Sequence, residues 1–516
     1  MTRRLFLMLF LAGLCFAGIE TRAEEKPTAK ERLRPEGIDG ALVLCGGTVS
    51  DAARERFFDL AGKDKARIVV VSPGNDKIDI ANAKRLADAW KERQAADVVY
   101  WDGGAAKLAD SLRDATGVWF ADPEADHLLK DYRREAVEKA LAALLKRGGV
   151  VGATDGTALG QAGFALLPGA LVEARFRKGE GERRLFAALE KRSGVFGVGL
   201  GDGAALVVKG REIALIGDGN AAVVLAKSEG REARTVELSA RAPTDLTMWR
   251  RCALARAEPM FPAKEPPVPE VPKGSLVIVG GGGVPADVAQ KFIDLAGGAD
   301  ALIVVLPTAQ PDPVPASEGG FLKRAGAKHV VTLPSRKLAD VEDPKNLETL
   351  KKAGGVWFGG GRQWRFVDAY EGTKAEEALR DVLRRGGVIG GSSAGATIQG
   401  YYLCRGSPLN NTDIRCEGYE RGLNFLPGVA IDQHFAQRKR FGDMAALMKV
   451  YPQLLGVGID EATALVVRGS VAEVMGQGQA HFYDRRKPLE EDKPDHESVK
   501  AGGLYDLKER KVLPEK

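Results

Sequence analysis

The sequence predicts an α/β protein built from two tandem, doubly wound domains with mostly parallel sheets. Three observations carry this. Short apolar runs such as Leu276–Gly281 (LVIVGG) and Ala301–Pro307 (ALIVVLP) lack polar alternation, as strands buried on both faces do. Amphipathic stretches lie between them. In Lys374–Gly387, Ala378, Leu379, Val382 and Leu383 fall on one helical stripe, and two glycines follow as a stop. Finally, one set of such blocks occurs twice in the same order, which makes strand–helix–strand units two domains rather than one.

Taken from the N-terminus, Arg3 and Arg4 precede an apolar run from Leu5 to Ile19, and Thr21-Arg22-Ala23 supplies a small-x-small pattern. The run is about 15 residues, shorter than the ~20 that cross a bilayer. Residues 1–23 therefore read as a secretory signal peptide cleaved near Ala23, against a rival reading as an uncleaved anchor. Lipidation at Cys15 is disfavoured by Leu14, which stands where a small residue is needed. The expected location is secreted or periplasmic, with no stable membrane span after cleavage. The 75 basic and 70 acidic residues nearly balance, so no field points to nucleic acid as a partner. Four cysteines remain after cleavage, Cys45, Cys252, Cys404 and Cys416. Cys404 and Cys416 enclose a short polar loop and could staple it in an exported protein; four idle thiols is the other reading. No Cys/His spacing suggests a metal site, and no cofactor is expected.

The repeat has a period of roughly 235 to 260 residues. GALVLCGG (Gly40–Gly47) answers GSLVIVGG (Gly274–Gly281), RFFDLAG (Arg56–Gly62) answers KFIDLAG (Lys291–Gly297), and ARIVVVSP (Ala66–Pro73) answers ALIVVLPT (Ala301–Thr308). GVWFADPEAD (Gly117–Asp126) answers GVWFGGGRQW (Gly355–Trp364), and GVGLGDGAALVV (Gly197–Val208) answers GVGIDEATALVV (Gly456–Val467). The expected organisation is a first domain over 38–256, a linker over 257–273, a second domain over 274–484 and a charged extension over 485–516. Six prolines between Ala257 and Gly274 predict an extended, semi-stiff spacer that joins neither sheet nor helix. After Asp484 the chain turns charged and loses its period, which reads as a peripheral or disordered tail.

The chemistry concentrates in the second copy. Gly391-Ser392-Ser393-Ala394-Gly395 matches G-x-S-x-G directly after a predicted strand and before a helical stretch. A sharp turn of this kind needs neighbours without bulk, and the helix start offers free N–H groups to a developing oxyanion. An ordinary Gly-rich turn is the bland alternative. A serine hydroxyl needs a base. Of His127, His329, His434, His481 and His496, His434 in AIDQHFAQRKRFG has the best position. Asp460 and Glu461, at the end of another apolar run, offer the acid that fixes the imidazole tautomer. The order Ser, His, acid differs from that of α/β-hydrolases. The first copy has Asp155, Arg175 and Asp202 at the corresponding places, so all three roles are lost there together while the sheet-building runs survive.

At this point Gly274–Asp484 resembles the cyanophycinase group of serine peptidases, relatives of dipeptidase E on a class I glutamine amidotransferase-like (flavodoxin-like) fold. The resemblance rests on VGGG (Val279–Gly282), FGGGRQ (Phe358–Gln363), GSSAGA, DQHFAQRKR and GIDEATALVV. It implies Ser393 as nucleophile, His434 as general base and Glu461 as its orienting acid. It implies an oxyanion hole from the Ala394 N–H and the Gly359–Gly361 loop, at Gly360 and Gly361. Substrate contacts would fall on Gln363, Gln433, Arg438 and Arg440. A further family arginine is replaced by Asp443. The implied substrate is cyanophycin, poly-aspartate with arginine on each side chain, whose carboxylates Arg438 and Arg440 could bind in bidentate fashion. The expected product is the β-Asp-Arg dipeptide. The alternatives are an aspartyl exopeptidase of dipeptidase E type and a non-catalytic exported polymer- or peptide-binding protein. A polypeptide substrate is the expected partner, and a homo-oligomer is left open.

Overall fold

The structure is a computed structural model that describes residues 33–514 except 73–76, 102–103, 123, 312–317, 334–335, 487 and 491. The 1–23 signal peptide reading therefore lies outside the described residues. Each half carries a large and a small sheet. In the first half the large sheet has eight strands, ordered Thr244–Asp245, Glu212–Gly217, Ala204–Lys209, Ala41–Cys45, Val150–Ala153, Gly117–Phe120, Arg67–Val71 and Asp97–Trp101. In the second half the order is His329–Thr332, Leu302–Leu306, Gly355–Phe358, Val388–Ser392, Val271–Val279, Thr463–Gly469, Val471–Gly476, Leu504–Asp506 and Lys511–Leu513. Read from opposite ends, the strands that answer one another in sequence occupy the same places. Pairing is parallel from Ala41–Cys45 to Asp97–Trp101 and antiparallel on the other flank, so the sheets are mixed around a parallel core.

The apolar runs are strands for the reason expected. All five residues of Ala41–Cys45 and all four of Gly355–Phe358 are buried, because helices cover both faces. The helix expected from Lys374 spans Lys374–Arg384 and buries Ala378, Leu379, Val382 and Leu383. Thr373 caps it, its hydroxyl accepting from the Glu376 N–H, and Gly386 (φ 92°) lets the chain turn away.

Two expectations are corrected. The proline-rich linker is not a free spacer. Its Phe261 is buried against Tyr401 and under the Arg421 guanidinium, and Gln453 donates to the Ala263 carbonyl. From Val271 it is already strand, with Pro272 accommodated before the ladder shifts register. The charged tail is not peripheral. Glu497–Lys500 adds to the small sheet and Leu504–Asp506 to the large one, while Tyr505 stacks on Phe482 with centroids 3.7 Å apart. Arg510 is buried, donating to the Leu454 carbonyl and to Asp484. A few ordered apolar and cationic anchors outweigh an unfavourable average composition.

Cys404 and Cys416 are both free thiols, as are Cys45 and Cys252. Cys404 is fully buried in an apolar cluster, whereas Cys416 and Cys252 both donate to the Glu417 carbonyl. The two sulfurs thus face different surroundings, and the 404–416 staple is not formed.

Candidate active site

Ser393, His434 and Glu461 come from the C-terminal ends of three parallel strands. Val388–Ser392 belongs to the large sheet; Leu426–Gln433 and Leu455–Ile459 are neighbours in the small one. The site lies where the two sheets present these ends, the usual location in doubly wound folds. Ser393 Oγ is 2.9 Å from His434 Nε2, and His434 Nδ1 is 2.5 Å from Glu461 Oε1.

Local sequence explains the geometry. Ser393 has φ 57° and ψ −112°, a strained conformation for a residue with a Cβ. The turn closes only because both flanking glycines lack side chains. A Cβ on Gly391 would lie 2.3 Å from the Gly395 carbonyl oxygen, and one on Gly395 would lie 2.0 Å from that of Phe358. The loop after Val271–Val279 then ties the site together, with the Ser393 N–H donating to Val279 O and the His434 N–H to Gly280 O. Among the described residues, the N–H groups of Gly360, Gly361 and Ala394 have no recorded acceptor. Gly360 is packed beside the nucleophile, its Cβ position 3.6 Å from Ser393 Cβ. These donors are placed to receive an oxyanion.

The Glu461 carboxylate accepts the Nδ1 proton, which leaves Nε2 as the lone pair facing the serine hydroxyl. Burial holds the His434 pKa below its ordinary value; the Glu461 hydrogen bond opposes this, and the Arg438 and Arg440 charges reinforce it. Gln437 fixes Glu461, its Oε1 accepting from the Glu461 N–H at 2.9 Å. Gln437 was not singled out from sequence, although it sits inside the DQHFAQRKR block. Asp460, the other candidate acid, turns away to His481 Nε2 at 3.2 Å, and His481 Nδ1 meets Ser498 Oγ at 2.8 Å. A serine, a histidine and an acid thus meet a second time. Ser498, however, sits in the regular ladder of Glu497–Lys500, with no strained turn and no helix start beside it.

The four expected substrate contacts divide. Gln363 is buried, and its amide nitrogen donates to the Cys404 and Arg405 carbonyls, bracing the loop between Cys404 and Cys416. Gln433 is buried at the end of its strand, and among the described residues its Oε1 has no hydrogen-bond partner. Arg440 is also buried, and Nη1 is taken up by Asp432 at 2.9 Å and the Gln433 carbonyl at 2.6 Å. Arg438 is exposed, and among the described residues its guanidinium makes no ion pair. Asp443 pairs with Arg405, which also holds Asp432.

The first half keeps the scaffold and changes the chemistry. Arg175 has φ 52° where His434 has 50°, and its N–H donates to Gly46 O as that of His434 does to Gly280 O. The Asp155 carboxylate accepts from the Thr157 N–H at 3.0 Å and lies 4.0 Å from Arg175 Nη1. Asp202 accepts from the Thr48 N–H, and hydrogen bonds from the Thr48 side chain and backbone, helped by the Arg175 charge, hold its carboxyl below the usual range. Two carboxylates and a guanidinium thus stand where the other half has Ser393, His434 and Glu461. The Asp155 carboxylate itself fills the helix start that would receive an oxyanion.

Among the described residues no group of three or more His, Cys, Asp or Glu side chains is arranged to hold a metal, and no helix is long and apolar enough to cross a membrane. The profile of Peptidase family S51 matches residues 276–475. The chain is 30% identical over 220 residues to the cyanophycinase of Geminocystis herdmanii (strain PCC 6308), covering 41% of this chain and 81% of that protein. It is 30% identical over 226 residues to that of Trichormus variabilis (strain ATCC 29413 / PCC 7937), covering 42% and 75%. A crystal structure of a peptidase from an acI-B1 Actinobacterium aligns with 45% of this chain and 97% of its own, at 22% identity and a TM-score of 0.36. The chain therefore belongs to Peptidase family S51, a serine-type, cyanophycinase-like peptidase whose family domain lies in its C-terminal half.

Proposed function

We propose that the second half hydrolyses cyanophycin to β-Asp-Arg dipeptides through an acyl-enzyme on Ser393. The observation that carries this reading is the continuous hydrogen-bond chain from Ser393 through His434 to Glu461. His434 Nε2 takes the hydroxyl proton as Oγ attacks a backbone peptide carbonyl of the poly-aspartate chain, which leaves the Asp–Arg isopeptide bond intact in the product. The oxyanion settles on the N–H groups of Ala394 and the Gly360–Gly361 loop. The imidazolium, stabilised by Glu461, returns its proton to the leaving amine. Water then repeats the sequence and frees the carboxylate and the serine. Arg438 presents an uncommitted cation for a substrate carboxylate. The test is incubation of the purified protein with cyanophycin and mass spectrometry for β-aspartyl-arginine, with Asp-X dipeptides in parallel. Release of the dipeptide from polymer is the expected result. Turnover of Asp-X alone would mark an aspartyl exopeptidase.

Two further outcomes follow from the geometry. The base works in its neutral form, and burial favours that form. The acidic limb of the kcat/KM profile should therefore have its midpoint below the ordinary histidine value of about 6.5. A midpoint above 7 would contradict the assignment. In an Ser393→Ala background, Asp155→Ser should restore no turnover in the same assay, because Arg175 cannot serve as a base and Asp202 is bound to Thr48.

A further inference from the structure

We infer that Glu318 forms a subsite for a cationic side chain of the substrate, a guanidinium or an ammonium, directly beside the loop that supplies the oxyanion donors. The inference deepens the proposed function and rests on it for the identity of the polymer, but not for the sign of the charge.

The placement is specific. Glu318 Oε1 lies over Gly359, only 2.6 Å from where a Cβ on that glycine would be. Gly359 adjoins Gly360, which packs against Ser393. The carboxylate thus rests on the loop that flanks the nucleophile. In the first half Ala121 occupies the position of Gly359, so the silent copy has a methyl group where this copy leaves room for a carboxylate.

The carboxylate is also unmatched. It is half-buried, yet among the described residues it has no hydrogen bond and no ion pair. Burial alone raises its pKa, with no cation contributing. Other buried acids nearby are all compensated: Asp432 by Arg405 and Arg440, Asp460 by His481 and the Ala436 N–H. Leaving a carboxylate partly desolvated without a partner costs free energy that a bound cation recovers. Together with the uncommitted Arg438, the site then offers one charge of each sign near Ser393. That combination suits a substrate whose branches carry both a carboxylate and a guanidinium. A substrate selected by its carboxylate alone would need only the arginine.

The test does not depend on turnover. Agmatine, a simple guanidinium compound, should slow labelling of Ser393 by a small uncharged fluorophosphonate in the wild-type protein. Glu318→Gln should be labelled at the wild-type rate without agmatine, which shows an intact nucleophile, but should lose the protection by about 10- to 100-fold in agmatine concentration. In parallel, β-Asp-Arg oligomers are compared with isosteres that carry citrulline in place of arginine. Wild type should prefer arginine by a similar factor in kcat/KM, and Glu318→Gln should erase the preference mainly through KM. Protection unchanged in Glu318→Gln overturns the inference, whatever the substrate. Glu318-dependent protection without cyanophycin hydrolysis upholds the cation subsite and rejects the polymer assignment instead.

Discussion

Replacing Ser393 by alanine lowers kcat on cyanophycin by roughly 10⁴-fold or more, with KM little changed. The size follows from the way the three residues act. Removing Oγ deletes the atom that forms the acyl-enzyme, and the remaining donors can only polarise a carbonyl toward water. His434→Ala should cost a comparable factor, since the hydroxyl loses the base that lies 2.9 Å from it. The double variant should be scarcely worse than either single one, because residues that act as one unit do not contribute additively. Steady-state kinetics on purified variants, with circular dichroism to show an unchanged fold, measures this. A Ser393→Ala enzyme with undiminished turnover would place the chemistry elsewhere.

Asp368→Ala destabilises the protein by about 3 kcal/mol, at the lower end of what breaking a buried ion pair costs. Asp368 sits on the helix Trp364–Tyr370 of the second half, yet its partners include side chains of the first. Arg211 Nη1 is 2.8 Å from Oδ2, Arg251 Nε is 2.9 Å from Oδ1, and the Tyr419 hydroxyl donates to both oxygens at 3.0 Å. Arg251 and Asp368 are both only 8% exposed, so removing the carboxylate leaves a guanidinium nearly out of water. Glu371 at 2.6 Å and Asp245 on Arg211 retain part of the compensation, which is why the lower end applies. The same helix follows Gln363 and the Gly359–Gly361 loop directly, and Arg211 lies over the Trp364 ring at 4.4 Å. The first half therefore holds the helix that directly follows the Gly359–Gly361 loop. Urea denaturation should show a lower midpoint for Asp368→Ala, and Arg251→Ala should be milder because it leaves the Arg211 pair in place. An unchanged midpoint would mean that the seam contributes nothing to stability.

The sequence showed most of the fold because strand runs buried on both faces carry an unmistakable pattern, and because each run occurs twice. Position singled out Ser393 and His434 and left Asp460 and Glu461 as candidate acids; the family resemblance pointed to Glu461, and these three side chains lie within hydrogen-bond distance. What stayed hidden was decided by partners remote in sequence. Arg440 reads as a substrate contact until Asp432 is seen to hold it. Arg510 and Tyr505 look like tail residues until Asp484 and Phe482 meet them. The linker prolines suggested a free spacer, but Phe261 finds an aromatic seat on Tyr401. Glu318 carries no motif; only its position over Gly359 and its lack of a counter-charge mark it.

The most direct measurement is fluorophosphonate labelling of the full chain followed by peptide mapping. A single adduct on the peptide containing Ser393, abolished in Ser393→Ala and strongly slowed in His434→Ala, is the predicted result. An adduct on Ser498, or none at all from an otherwise folded protein, would contradict it.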